Sequence, residues 1–371
     1  MKRIKSIDTF RGWCMFMMVL GHMLSWWVIP EDHWLTQILH SILGDIVGTG
    51  FIFFSGLSTV LYFRSRITKA EASDITSIKQ VNNEYLFRAL LILILAFLYS
   101  SATAVGTLNP LQIWKWYIPF TIAISLFLAF LLLRTSKSFR IILAVIIWIS
   151  HYFIRSILLP YEEQINIFGA IYHVLYNGLH PILYYFSFFL VGTVVGDVML
   201  KIFLEDDQKE RRSALLHKFL IPSLTMGTIL TLIAVIFLFP LFLTHQTFSS
   251  TLYSLGVILV SFSVLLILEE FEVIKNKKSY RFFYFYSYYS FTIYFSHNII
   301  YFIFLNQLNA LTFWIGAIGS FILLSLLIRF MYKKYGPKVS LKVLVGKYAL
   351  ILARKVEEKR KERIELLKIK D

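Results

Sequence analysis

Ten stretches of this sequence stay apolar for the roughly 20 residues that a helix needs to cross a bilayer, and no other feature constrains the fold as tightly. They run near 10–29, 42–63, 87–107, 116–133 and 139–159, and then, after a longer polar connection, near 181–200, 218–244, 251–268, 282–305 and 312–332. In hydrocarbon every backbone amide and carbonyl needs a partner inside the protein, so only helices and closed barrels are admissible. The runs lack the in-and-out alternation of barrel strands. The expected fold class is therefore all-α, a polytopic membrane helical bundle of about ten transmembrane helices. Composition agrees: 57% of residues are hydrophobic, 17% are aromatic and the mean hydropathy is +0.67. A surface of that kind belongs in lipid.

The formal net charge of +15 raises the question of nucleic acid. Nucleic-acid binding needs basic side chains gathered on a polar face among stacking platforms, whereas here they lie between apolar runs. Membrane lipids are the expected surroundings and nucleic acid is not an expected partner. Cytoplasmic loops retain lysine and arginine. With the N-terminus and C-terminus cytoplasmic, all but Lys115 and Arg155 of the 37 basic residues fall on that side, in clusters at 2–11, 64–88, 134–140, 201–218, 275–281 and 329–370. An odd number of spans would break this alternation. The basic start (Lys2, Arg3, Lys5) runs into the first apolar stretch with no small-residue cleavage site, which reads as an uncleaved first span. The expected location is the cell membrane, since no organelle signal is visible. Residues 1–341 form the expected transmembrane domain and residues 342–371 a basic cytoplasmic helical tail. A homodimer is left open.

Cys14 is the single cysteine and lies inside the first apolar run, so neither a disulfide framework nor a paired-cysteine zinc site is available. The nine histidines lack the short paired spacing of a zinc motif, and no metal is expected. His217 alone falls in a cytoplasmic connection; the others lie in the outer half or in outer loops. Titratable chemistry therefore faces outward. His173 and His245 read as ordinary loop residues. Polar groups within the membrane are costly and usually face a bundle interior or a wet cavity. On that ground His40, His151, His180, Tyr294 and His297 are candidate cavity-lining residues.

Arg11 and His22 are eleven residues apart, close to three helical turns, so both share one face about 16 Å apart along the axis. Asp8, Met15 and Met18 fall on the same stripe. A guanidinium at the inner boundary suits the phosphate oxygens of a cofactor entering from the cytoplasm, and a thioester on a long arm would reach the imidazole. The same spacing fits an arginine anchor paired with Asp8 above a merely packed histidine. Spacing alone leaves both readings open.

The residues also resemble a known group. SIDTFRG (Ser6 to Gly12), followed by an apolar run ending in MVLGH (Met18 to His22), is similar to the opening signature of the transmembrane acyltransferase superfamily. An arginine, ten residues and a histidine resemble the first-helix motif of acyltransferase family 3, in which the histidine is essential for acyl transfer. SIDTFRG is closer to the heparan-α-glucosaminide N-acetyltransferase type. In the lysosomal branch of that type an asparagine takes the position of His22, and a catalytic histidine follows the arginine by twenty-two residues, where His33 stands here. Asp45 ahead of FIFFSG (Phe51 to Gly56) resembles an aspartate of the second helix, with a gap from His33 two residues longer than the family's. HPILYYFSFFLVGTVVG (His180 to Gly196) and YSFTIYFSHNII (Tyr289 to Ile300) are similar to two later helices. Gly44 with Gly48, and Gly192 with Gly196, also fit the small-residue spacing of close helix packing.

The resemblance implies a membrane acyltransferase with His22, His33 and Asp45 catalytic and Arg11 with Asp8 binding the co-substrate acyl-CoA, most simply acetyl-CoA. The acceptor would be an amine or hydroxyl of an extracytoplasmic sugar, glycan or lipid headgroup. A carboxylate in the second span could orient an imidazole as the third member of a triad does. The chief rival is a secondary transporter with titratable residues at the midplane. Transporters show internal repeats and paired interrupted helices, and neither is evident. A receptor or scaffold would leave the stripe of Arg11 and His22 without a purpose.

Overall fold

The computed structural model describes residues 3–72, 77–273 and 281–368. Lys2, Lys275, Lys277, Lys278 and Lys370, which entered the charge argument, lie outside the described residues. The described residues are mostly helical: α1 (Lys5–Trp27), α2 (His33–Leu39), α3 (Asp45–Glu71), α4 (Ile78–Thr107), α5 (Ile118–Leu132), α6 (Lys137–Leu158), α7 (Ile167–Tyr176), α8 (Ile182–Phe203), α9 (Gln208–Leu215), α10 (Ile221–Leu232), α11 (Phe248–Glu270), α12 (Arg281–Tyr288), α13 (Ser290–Ser296), α14 (Ala310–Lys334) and α15 (Leu341–Lys368). Wide π-turns at His40–Gly44 and Leu216–Leu220 run α2 into α3 and α9 into α10.

Among the described residues, 7 helical stretches are long and apolar enough to cross a membrane: Pro30–Glu71, Ile78–Thr107, Lys137–Tyr161, Ile182–Phe203, Gln208–Phe237, Phe248–Glu270 and Ala310–Lys334. Each coincides with an expected span. The remaining three expected spans are also helical but differ from a uniform apolar rod. In α1, which has 23 residues, Arg11, His22 and three tryptophans dilute the apolar character. α5 has only 15 residues, about 22 Å of helix. The ninth run, expected as one helix, is broken at Tyr289 into α12 and α13 and then tightens into a 3-10 segment at His297–Phe302.

That break has a physical cause. The hydroxyls of Tyr289 and Thr292 donate to the Gly336 and Val339 carbonyls, Ser340 Oγ donates to the Tyr288 carbonyl, and the Leu341 amide donates to Thr292 Oγ1. Ser340 thus satisfies the Tyr288 carbonyl, which a continuous helix would have bonded itself, and the other three bonds hold the 336–341 connection against the break. Within a membrane protein, irregular backbone is tolerated only on such terms.

The chain divides into two compact units, Met1–Phe54 with Val198–Lys342, and Ser55–Asp197 with Val343–Asp371. In the first, α1 packs along α12 and α11, and α10 packs on α11. In the second, α4 packs on α5. There, a Cβ at Gly56 would lie 2.2 Å from the Phe189 carbonyl oxygen and one at Gly196 would lie 2.8 Å from that of Leu57. For Gly196 the packing expectation therefore fits what is found. The buried Asp197 carboxylate is held between Arg64 and Arg140, and Arg140 also donates to Thr193 Oγ1.

Residues 342–368 of the expected C-terminal tail lie in α15. Val345, Ala349, Ala353 and Glu357, spaced at four residues, are buried, and Glu357 accepts from Ser77, the residue that caps α4.

Candidate active site

The first unit is built around α1, and the opening motif explains how that helix is held. A helix start leaves its first amides without partners. Here the Glu269 carboxylate of α11 accepts from the amides of Lys5 and Ser6 and from the Ser6 hydroxyl, at 2.6–2.8 Å. Asp8 accepts from Arg3 Nε at 2.8 Å and from the Ser287 hydroxyl of α12 at 3.1 Å. A Cβ on Gly12 would come within 1.9 Å of the Phe283 carbonyl oxygen, so only glycine lets α1 lie this close to α12. The Phe10 ring packs against that of Phe54, tilted by 31° with centroids 4.5 Å apart. Asp8, grouped with Arg11 in the expected co-substrate site, ties α1 to α12 and to Arg3. Arg11 is buried, its guanidinium carbon 5.5 Å from the centre of the Phe51 ring.

At its other end α1 is joined to the segment that follows α13. The Trp26 carbonyl accepts from the Asn306 amide, the Trp27 carbonyl from the amides of Gln307 and Leu308, and the Leu308 carbonyl from the Ile29 amide, all at 2.9–3.0 Å. Trp27 Nε1 donates to the Ile300 carbonyl at 2.8 Å. This seam sets the His297 imidazole beside His22, with ring centroids 4.8 Å apart. Trp26 packs on both rings, 4.9 Å from His22 and 5.8 Å from His297, with interplanar angles of 25° and 13°. The Tyr294 ring lies 5.5 Å from His297. His297 Nδ1 donates to the Tyr294 carbonyl. A carbonyl can only accept, so Nδ1 carries the hydrogen and the neutral ring keeps its lone pair on Nε2.

A second group of titratable side chains meets the adjacent residue of α1. The His40 ring hydrogen-bonds to the Gly21 backbone, and a Cβ at Gly21 would stand 3.1 Å from His40 Nε2. Close to His40 lies His245, on the loop before α11, whose Nδ1 donates to Asp45 Oδ1 at 3.0 Å. The second carboxylate oxygen accepts from the Gln246 amide at 2.9 Å. A Cβ at Gly44 would fall 2.6 Å from His245 Cε1, so this glycine makes room for an imidazole rather than for a helix. The Asp45 hydrogen bond raises the pKa of His245 above that of an ordinary histidine, against the opposing effect of partial burial.

Asp45, grouped with His22 and His33 in the expected site, holds His245, a residue read from sequence as an ordinary loop histidine. His33 Nε2 donates to the Val28 carbonyl at 3.1 Å and so anchors the turn after α1. The missed signal was indirect: a buried carboxylate needs a donor, and His245 was one of few donors without an assigned role. Trp26 was also missed, because its importance comes from the two rings it contacts.

His151 and His180 belong to the second unit. His151 is fully buried against Tyr152, Tyr176 and Tyr184, and its backbone carbonyl accepts from the Tyr176 hydroxyl. His180 closes a turn: its amide donates to the Trp116 carbonyl and its carbonyl accepts from Thr121. Among the described residues no group of three or more His, Cys, Asp or Glu side chains is arranged to hold a metal ion.

The family model for the catalytic region of heparan-α-glucosaminide N-acetyltransferase matches residues 3–227, well over half of the chain. The chain belongs to this family. No curated protein matches it. The heparan-α-glucosaminide N-acetyltransferase match takes in Arg11, His22, His33, His40 and Asp45 and ends within α10, so His245, Tyr294 and His297 lie beyond it. As a member of an N-acetyltransferase family with several membrane-length helices, the chain is a multi-pass membrane transferase.

Proposed function

We propose that this protein transfers an acyl group, most simply acetyl, from acyl-CoA approaching the Arg11 end of α1 to an amine or hydroxyl of a sugar, glycan or lipid headgroup reaching the His22 end. On this reading the Arg11 end faces the cytoplasm and the His22 end faces outward, in the cell membrane. The observation that carries it is the packing of His22 and Trp26, on the helix that bears Arg11, against the His297 ring from the segment after α13. Exposed cations near the start of α1, Arg3 and Lys5, fit the phosphates of a nucleotide-bearing donor, and Arg11 lies two turns deeper.

The acceptor nitrogen or oxygen attacks the thioester carbonyl carbon, the carbon–sulfur bond breaks, and the thiolate leaves with the electron pair. His22 takes the acceptor's proton, with Trp26 and His297 fixing its ring. A positioned base of this kind contributes about 10²–10⁴-fold to rate. The Trp26 face favours the imidazolium that forms.

The test is reconstitution of the full chain in vesicles with labelled acetyl-CoA and a panel of glucosamine, glycan and lipid-headgroup acceptors. Label is expected in an acceptor. His22→Ala and His297→Ala are each expected to lower transfer by about 100-fold or more. His33→Ala, which removes a backbone tether, is expected to cost less than about 10-fold. Label crossing the vesicle without a covalent product would favour transport instead.

A further inference from the structure

The reaction above leaves one proton unaccounted for. His22 accepts a proton from the acceptor, and the thiolate departs carrying a negative charge. A second group that delivers a proton to sulfur completes the exchange, so that acceptor–H and acyl–S–CoA become acceptor–acyl and CoA–SH. Among the described residues around the His22 turn, the Asp45–His245 pair has the features of such a donor.

We propose that His245, oriented by Asp45, is the proton donor to the departing thiolate. This rests on the acyltransferase reading of the same site. Three independent features support it. The ring is fixed, because Nδ1 is engaged with Asp45 Oδ1 at 3.0 Å and the other carboxylate oxygen is fixed by the Gln246 amide at 2.9 Å. The ring has space only because position 44 is glycine. It is also close to where the base works, since its neighbour His40 contacts Gly21, the residue before His22.

The titratable groups facing His245 are Asp45 on α3 and His40 on the π-turn. Asp45 favours the protonated ring, and His40 when charged opposes it. The carboxylate effect leads, so His245 carries its proton at a pH where an ordinary imidazole has begun to lose it. Two histidines in unlike surroundings can thereby divide the labour, one neutral and accepting, one charged and donating. After turnover the proton on His22 returns to solvent and His245 is recharged from it.

Leaving-group dependence distinguishes a proton donor from a structural residue. Wild-type protein, His245→Gln and Asp45→Asn are compared in vesicles with glucosamine as acceptor. The donors are acetyl-CoA and the acetyl thioester of 4-nitrothiophenol, whose thiolate needs no protonation to leave. With acetyl-CoA, His245→Gln is expected to lower kcat by about 100-fold. With the nitrothiophenyl donor the deficit should shrink to a few-fold. Asp45→Asn should move the alkaline limb of the kcat profile with acetyl-CoA to lower pH, and this arm stands if His245→Gln does not fold. Equal losses with both donors, no loss with either, or an unmoved alkaline limb would overturn the assignment. Wild-type protein that transfers nothing from acetyl-CoA to any acceptor in the panel would instead overturn the underlying reading, and this one with it.

Discussion

Single residues of the opening motif have roles that sequence assigns only in part. Arg11 and His22 stand out because charge and imidazole are costly in a membrane. Ser6, Asp8 and Gly12 stand out equally, yet their roles are to cap, tie and admit α12, through Glu269, Ser287 and Phe283. Those partners are more than 250 residues away, and a single sequence holds no sign of them. His245 shows the same limit from the other side. Its pairing with Asp45 has a consequence for stability. The pKa of His245 is raised in the folded protein, so the stabilisation is complete below the ordinary imidazole pKa of about 6.5 and is lost as pH rises through the raised value. The ring is 46% exposed, so the effect is modest. The melting temperature of wild-type protein in detergent should exceed that of His245→Gln at pH 6, and the two should converge toward pH 9. A gap that widens with pH would mean that the pair is not an imidazolium and a carboxylate.

At the level of elements, hydropathy located the 7 helical stretches long and apolar enough to cross a membrane, because burial in lipid demands apolar residues whatever the tertiary arrangement. It could not show that the second span begins in a short helix and a π-turn, nor that the ninth breaks at Tyr289. Those irregularities depend on hydroxyls and carbonyls contributed by other segments, and composition does not register them. The cap on α1 is a similar long-range device. Glu269→Ala removes the acceptor for two amides and a hydroxyl at a helix start, and a buried donor left without an acceptor costs about 1–3 kcal/mol. The variant should melt several degrees below wild type in detergent and be clipped faster by protease near residue 5. Glu269→Gln, which keeps an acceptor oxygen, should recover much of the difference.

For the molecule as a whole, the apolar side chains that point outward form stripes suited to lipid, as with Ile142, Ile146, Ile149, Phe153 and Ile157 along α6. Charge supplies the orientation that geometry leaves open. With buried Cys14 replaced by alanine, Glu163→Cys should react with a membrane-impermeant maleimide in intact cells, and Lys209→Cys only after permeabilisation. Both side chains are exposed, so the difference reports sidedness alone. Reversed labelling would put the donor and acceptor on the wrong sides for the proposed reaction.

The seam between the end of α1 and the 306–308 segment bears on how the protein is made. Trp27 and Ile300, which it joins, are 273 positions apart. This helix therefore leaves the ribosome and enters the bilayer with Trp26 and His22 unaccompanied, and the 273 positions between Trp27 and Ile300 must be made before that partner arrives. Pairings so distant along the chain form late and slowly. A nascent chain halted short of α13 would already possess its family motif and still lack His297.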